Sequence, residues 1–230
     1  MAFRDVFKSR HVILPVIHVE NQQRTADNVE VARGEGADGV FLIGHSMNCF
    51  DLLLIHERTR DRFPDFWIGV NCLDLSPTSV FSQVTNKVSG VWVDNAEIME
   101  QQDDQPGAKE IAAARARTNY RGLYFGGVAF KYQRHVTDLA RGALLAKDYV
   151  DVVTTSGIGT GSAPDVEKIN IMKDAIGDHP LAIASGITPD GVRDYLRADV
   201  FMVATGIGKN FHDIDTSLLA KLVKNVRDCG

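Results

Sequence analysis

The chain has 230 residues, 44% of them hydrophobic, which is enough apolar surface for the core of one large domain. A formal charge of -5 excludes a general polyanion binder, because such proteins need a basic face that releases counterions from phosphates; a local phosphate pocket stays open. Charges in the opening Met1-Ala2-Phe3-Arg4-Asp5-Val6-Phe7-Lys8 interrupt the apolar run of a signal peptide, and no later stretch approaches the ~20 apolar residues of a membrane span, so a cytoplasmic protein with no membrane or nucleic-acid partner is expected.

Along the chain, a short apolar, β-branched run is followed by a longer helical pattern, and the pair recurs eight times. The predicted strands are 11–19, 39–45, 66–73, 90–94, 123–130, 150–155, 181–185 and 200–205. Their apolar content is too continuous for half-exposed strands and suits a parallel sheet covered by helices. Helix starts are marked by Thr25, by Ser76-Pro77, and by the prolines of Ala163-Pro164-Asp165 and Thr188-Pro189-Asp190. An aspartate recurs at strand entries, as Asp38, Asp151 and Asp199, which points to repeated βα units. Eight units in this length, with no linker, predict one domain over 1–230, a closed (β/α)8 barrel of parallel strands with outer helices. The polar stretch 97–107 reads as either a solvated insertion or an active-site lid above the barrel mouth. Cys49, Cys72 and Cys229 are odd in number and widely spaced, which suggests unpaired thiols and neither a disulfide framework nor a zinc site.

In such a barrel the C-terminal ends of the strands converge on one site. They carry His18 and Glu20, then His45, Asn71, Asp94 and Lys131. Asp94 is the first candidate for general acid/base work, with Glu20 and His18 next; the same groups could form a polar network that stiffens the mouth. Lys131 reads as a cation paired with Asp94 or with a ligand anion, or as a desolvated amine that forms a Schiff base. The last three strands lead into glycine and hydroxyl loops: Thr155, Ser156 and Gly157, then Ser185 and Gly186, then Thr205 and Gly206. Glycines let the backbone approach an oxyanion closely, so these loops are expected to hold a phosphate, unless they only make tight turns. No cofactor is expected. A divalent metal on His18, Glu20, His45 and Asp94 is the alternative, although no local ligand spacing supports it.

Across its length the chain resembles the BtpA/SgcQ group of TIM-barrel proteins. The resemblance rests on Pro15-Val16-Ile17-His18, Gly36-Ala37-Asp38-Gly39-Val40, Gly69-Val70-Asn71 and Val91-Trp92-Val93-Asp94-Asn95. Lys131, the stretch 151–165, Ser185-Gly186-Ile187-Thr188-Pro189 and Val203-Ala204-Thr205-Gly206 complete it. It implies the barrel and little about the reaction. At the fifth strand the chain reads Phe130-Lys131-Tyr132 where the group leads one to expect a histidine on either side of the lysine. The expected function is an enzyme, a lyase, isomerase or phosphoribosyl-processing type, acting on a phosphosugar or nucleotide-like metabolite. A non-catalytic binding or assembly scaffold and a Schiff-base aldolase on Lys131 are the alternatives. A homo-oligomer is a mild expectation.

Overall fold

The computed structural model of the protein describes residues 2–229. Its strands are β1 (Val12–His18), β2 (Gly39–Ile43), β3 (Trp67–Asn71), β4 (Gly90–Val93), β5 (Leu123–Gly127), β6 (Val152–Thr155), β7 (Leu181–Ile183) and β8 (Val200–Val203). They pair in chain order, all parallel, and β8 closes onto β1. The helices are α1 (Phe3–Val6), α2 (Gln22–Gly34), α3 (Cys49–Arg62), α4 (Pro77–Gln83), α5 (Pro106–Arg117), α6 (Leu139–Ala146), α7 (Val166–Ile176) and α8 (Thr216–Arg227). This is the expected closed (β/α)8 TIM barrel. Most strands end one to three residues before the sequence reading placed them, because their last polar residues already belong to loops at the mouth.

Three helix starts differ from expectation. Asn21, not Thr25, caps α2 by accepting from the Arg24 N–H at 3.0 Å; Thr25 lies inside the helix and donates its hydroxyl back to the Asn21 carbonyl. Asp165 stands at the cap of α7, so Pro164 precedes the helix. Thr188-Pro189-Asp190 opens no α-helix, only a single 3-10 turn at Val192–Tyr195, so the crossover from β7 to β8 is the thinnest of the ring. Ser76 and Pro77 stand as expected, with the Ser76 hydroxyl accepting from the Ser79 N–H.

The strand period of two sorts each strand's side chains between two cores. Val12, Leu14 and Val16 of β1 point inward and pack with Phe41, Trp92, Phe125, Val152, Ala182 and Met202 inside the barrel. Ile13 and Ile17 point outward and pack with Val29, Leu52, Ile111, Ile169 and Leu222 of the helices. Trp67 and Phe41 fit the interior because Gly69 and Gly90 lie beside them; a Cβ on Gly69 would stand 2.5 Å from the Phe41 ring and one on Gly90 2.4 Å from the Trp67 ring. Below, Phe3 of α1 and Phe7 just after it plug the N-terminal face, with Phe7 5.3 Å from Trp67 between ring centroids. Continued inward by the same period, β1 reaches His18, the β2 line reaches His45 and the β4 line reaches Asp94. That alternation is what delivers polar groups to the mouth.

The recurring aspartates have one job. Each precedes a strand and accepts a backbone N–H from the first two residues of an earlier neighbouring strand while pairing with a basic residue of an outer helix. Asp38 takes the Ile13 N–H at 2.8 Å and Arg227 at 2.7 Å; Asp151 takes the Tyr124 N–H at 2.7 Å and Arg115 at 2.6 Å; Asp199 takes the Leu181 N–H at 2.9 Å and Lys173 at 2.6 Å. All three lie on the N-terminal face, where barrel residues serve stability and not catalysis.

The 97–107 stretch is clamped. Gln105 is fully buried and accepts from the Met99 N–H at 2.8 Å while donating to the Met99 and Gln102 carbonyls. Glu100, also buried, pairs with Arg134 and accepts from the Thr137 N–H at 3.0 Å, which ties the loop to the segment before α6. The cysteine expectation is corrected: Cys49 and Cys72 form a disulfide, their Cα atoms 5.1 Å apart. Their separation of 23 in sequence hid a spatial neighbourhood, because α3 begins at the mouth beside the end of β3, whose strand pairs with β2. No helix of the described residues is long and apolar enough to cross a membrane.

His56 of α3 shows what burial does to a titratable group in the outer layer. It is 2% exposed, its Nε2 lies 3.3 Å from the Ile68 carbonyl, and burial pushes its pKa down to about 4. The unfolded chain binds a proton near pH 6.5 that the folded chain refuses until about pH 4. Stability is therefore full above pH 6.5 and is lost as pH falls toward 4. The expected result is that His56→Gln removes roughly 2–3 kcal/mol of the stability lost between pH 7.5 and 4.5, read from urea unfolding at the two pH values. An unchanged acid sensitivity would sink the assignment.

Candidate functional site

A cavity of about 640 Å³ opens at the C-terminal ends of the strands, its floor made by Val16, Ile43, Trp92 and Met202 from the top of the barrel core. Of the residues singled out from sequence, His18, His45, Asp94, Lys131, Ser185, Gly186 and Thr205 line it. Six others do not. Glu20 turns outward to pair with Arg24 at 2.6 Å. Asn71 is buried beneath the cavity and donates to Asp94 Oδ1 at 3.1 Å. Thr155, Ser156 and Gly157 are buried as well; the Thr155 hydroxyl donates to the Ala129 carbonyl at 3.3 Å. Gly206 packs on the backbone of the β7 loop, where an added Cβ would lie 1.9 Å from the Ile187 carbonyl oxygen.

Asp94 and Lys131 are both held in a partly desolvated place. Burial raises the Asp94 pKa above its ordinary value, against the opposing hydrogen bond from Asn71 and the positive charge of Lys131. Burial likewise lowers the Lys131 amine, opposed by the negative charge of Asp94. The expected direct ion pair between them is not formed: among the described residues Lys131 has no carboxylate within 4.0 Å. The two groups are thus pushed toward each other in pKa, which prepares a carboxyl and an amine for proton transfer nearer neutral pH.

The segment that carries Lys131 is strained and anchored. Ala129 and Tyr132 adopt left-handed backbone angles, φ 50° and 61°, which cost free energy in residues with a Cβ. Ser156 holds the segment by accepting the Lys131 N–H at 2.8 Å. Lys168, in the first turn of α7, reaches in from the helix layer, its amine donating to the carbonyls of Ala129 at 2.6 Å and Ser156 at 2.7 Å, with its pKa lowered to about 8 by burial. Ser156 and Lys168 therefore position Lys131.

On the β6 to β8 side the wall is made of Thr160, Gly161, Ser185, Gly186 and Thr205. Gly186 has φ 67°, and a Cβ there would meet the Ala163 nitrogen at 2.0 Å, so only glycine fits. Its N–H pairs with no backbone carbonyl among the described residues. The Ser185 hydroxyl is engaged, donating to the Gly159 carbonyl at 2.9 Å, which draws the β6 and β7 loops together.

Sequence reasoning missed the third part of the site. After β8 the chain makes a small hairpin, bridged at Gly208 and Ile214, which lays Phe211 and His212 over the end of β1. Arg24 of α2 grips Asp213 with two bonds of 2.6 Å, Asn28 donates to the His212 carbonyl and accepts from the Ile214 N–H, and His212 Nδ1 lies 2.9 Å from the His18 carbonyl. Burial drives the His18 pKa down to about 4, assisted by His45, His212 and Lys131, and burial also lowers His45, so His18 is neutral at pH 7. Its Nδ1 is buried without a partner. Among the described residues, no group of three or more His, Cys, Asp or Glu is placed to hold a metal ion; in particular Glu20 faces away from His18, His45 and Asp94.

No family model matches the chain, and no curated protein matches it. Solved structures do. Phosphoribosyl anthranilate isomerase from Thermus thermophilus superposes with a TM-score of 0.67 at 13% identity, covering 95% of this chain and 100% of that one. The (S)-3-O-geranylgeranylglyceryl phosphate synthase from Thermoplasma acidophilum, in complex with its substrate sn-glycerol-1-phosphate, gives 0.71 at 13% identity and 99% of both chains. Tryptophan synthase alpha chain from Legionella pneumophila gives 0.70 at 13% identity, over 96% of this chain and 93% of that one. The likeness is one of fold. None of these comparisons names the BtpA/SgcQ group.

Proposed function

We propose that the protein is an enzyme acting on a small phosphorylated metabolite, with the phosphate held at the β6 to β8 loops and the reacting carbon beside Asp94 and Lys131. One observation carries this reading: a single cavity joins a partly desolvated carboxyl and amine to a wall of glycine and threonine. Gly161, Gly186 and Thr205 offer backbone N–H and hydroxyl donors, which bind an oxyanion without a net basic surface. Lys131 supplies a positive charge. Barrels of this kind repeatedly bind phosphate after strands seven and eight, and two of the similar structures carry a phosphorylated compound in their names.

The Schiff-base reading of Lys131 gains from its surroundings, since an amine lowered by burial and without a carboxylate in contact is a better nucleophile than the ion-paired cation expected from sequence. Borohydride reduction in the presence of a carbonyl substrate distinguishes the two: a covalent adduct on Lys131 makes the reaction an aldolase type, and none keeps the lysine as a cation or proton carrier.

The test of the phosphate is thermal unfolding with phosphosugars, each beside its dephosphorylated partner. A ligand at about a hundred times its Kd adds roughly 2.7 kcal/mol, several degrees in a domain of this size. Shifts confined to phosphorylated members are expected; equal shifts for both members of each pair would sink the phosphate site. Retention of a phosphorylated ligand without chemical change would make the barrel a binding scaffold.

A further inference from the structure

The side of the cavity opposite Lys131 is built differently from the rest. The His18 and His45 rings stack with centroids 4.9 Å apart and planes at 27°, and the Phe211 ring lies 4.2 Å from His18 at 32° and 5.4 Å from His45. Phe211 is 55% exposed. A large apolar ring left this open gains little from packing, yet the hairpin that holds it is tied to α2 through Arg24 and Asn28 and to β1 through His212. That anchoring fixes the ring toward the cavity. Tyr132, 76% exposed, lines the same cavity from the β5 loop, and the closed strand order sets β5 across the mouth from β1. Below, Trp92 lines the floor with its Nε1 buried and unpaired among the described residues.

We infer that His18, His45 and Phe211 form a subsite for a planar, uncharged aromatic ring, so that the ligand of this cavity carries an aryl or heteroaryl group at the end remote from its phosphate. The inference rests on the proposed phosphate-binding reading for the other end. A ring is favoured over an aliphatic chain because the wall offers π faces, which prefer offset or tilted aromatic partners. An uncharged ring is favoured because His18 is neutral at pH 7 and Asp213, the nearest carboxylate of the hairpin, is already taken by Arg24. A cavity of about 640 Å³ has room for a ring, a linker of sugar size and a phosphate together.

Calorimetric titration with six probes tests this: AMP, UMP, adenosine, uridine, ribose 5-phosphate and ribose, each on the wild-type protein, Phe211→Ala and Phe211→Trp. At least one nucleotide is expected to bind about tenfold or more tighter than ribose 5-phosphate, the increment of one stacking face. Phe211→Ala erases that increment while leaving ribose 5-phosphate binding as it was, and Phe211→Trp keeps it. The ring subsite is overturned if neither nucleotide exceeds ribose 5-phosphate, if no ring-bearing probe binds, or if Phe211→Ala weakens ribose 5-phosphate as much as it weakens the nucleotides. The two halves fail separately. Nucleosides that bind as tightly as nucleotides, and lose affinity in Phe211→Ala, would remove the phosphate end and leave the ring subsite standing. Ribose 5-phosphate that binds as well as both nucleotides and tighter than ribose would do the reverse.

Discussion

Lys131→Met is expected to lower turnover of the proposed phosphorylated substrate by about 10²–10⁴-fold, the range for a lost proton-transfer or nucleophilic group, while the unfolding midpoint stays within a few degrees of wild type. The fold survives because the amine has no ion-pair partner to leave behind, and its burial is itself a desolvation cost that Met removes. Asp94→Asn should lose activity on the same scale with the fold intact, since an amide oxygen at position 94 still accepts the hydrogen bond from Asn71. The pH profile separates the pair. Burial raises Asp94 and lowers Lys131, so the wild-type profile is a bell whose limbs lie inside the interval between ordinary carboxyl and amine values. Residual activity of Lys131→Met should lack the alkaline limb and that of Asp94→Asn the acid limb. Full activity in both variants would end the assignment.

That Asp94 and His18 line the cavity was legible from sequence for a physical reason. A buried parallel strand alternates strictly between core and helix layer, so the residue two beyond an inward apolar one faces the mouth; Trp92 leads to Asp94 and Val16 to His18 by that rule. The rule fails where the chain turns off the strand line into a helix. Glu20 keeps the inward parity of His18, yet the chain has already turned into α2 at the Asn21 cap, and Arg24 one helical turn on captures the carboxylate. Ser156 fails for the opposite reason: it sits deep enough that its hydroxyl is spent on the Lys131 backbone. Phe211 and His212 carried no local signal. Their position depends on Arg24 and Asn28, more than 180 residues earlier, which meet the hairpin only because β8 closes onto β1. The Cys49–Cys72 bond was hidden in the same way, by a neighbourhood that exists only across paired strands.

Gly127→Ala should destabilise the protein by about 3 kcal/mol, the upper end of the cost of overpacking, and lower the midpoint by roughly 6–12 °C. Gly127 ends β5, where the strand passes so close to β4 that an added Cβ would lie 2.0 Å from the Asp94 carbonyl oxygen and 2.4 Å from its carbonyl carbon. Both are backbone atoms, so no rotamer change relieves the contact; either β5 moves out or Asp94 moves up. The second course displaces the carboxyl proposed for proton transfer, and turnover should fall further than the stability loss alone explains. Gly34→Ala is the matched control. At the end of α2 an added Cβ meets nothing within 4 Å, and replacing a helical glycine should stabilise by about 0.5–1 kcal/mol. Differential scanning calorimetry of the two variants reads opposite signs from one chemical change. If Gly127→Ala unfolds at the wild-type temperature, the close approach of β5 to Asp94 is not a constraint on the site, and the acid/base geometry built on it loses its support.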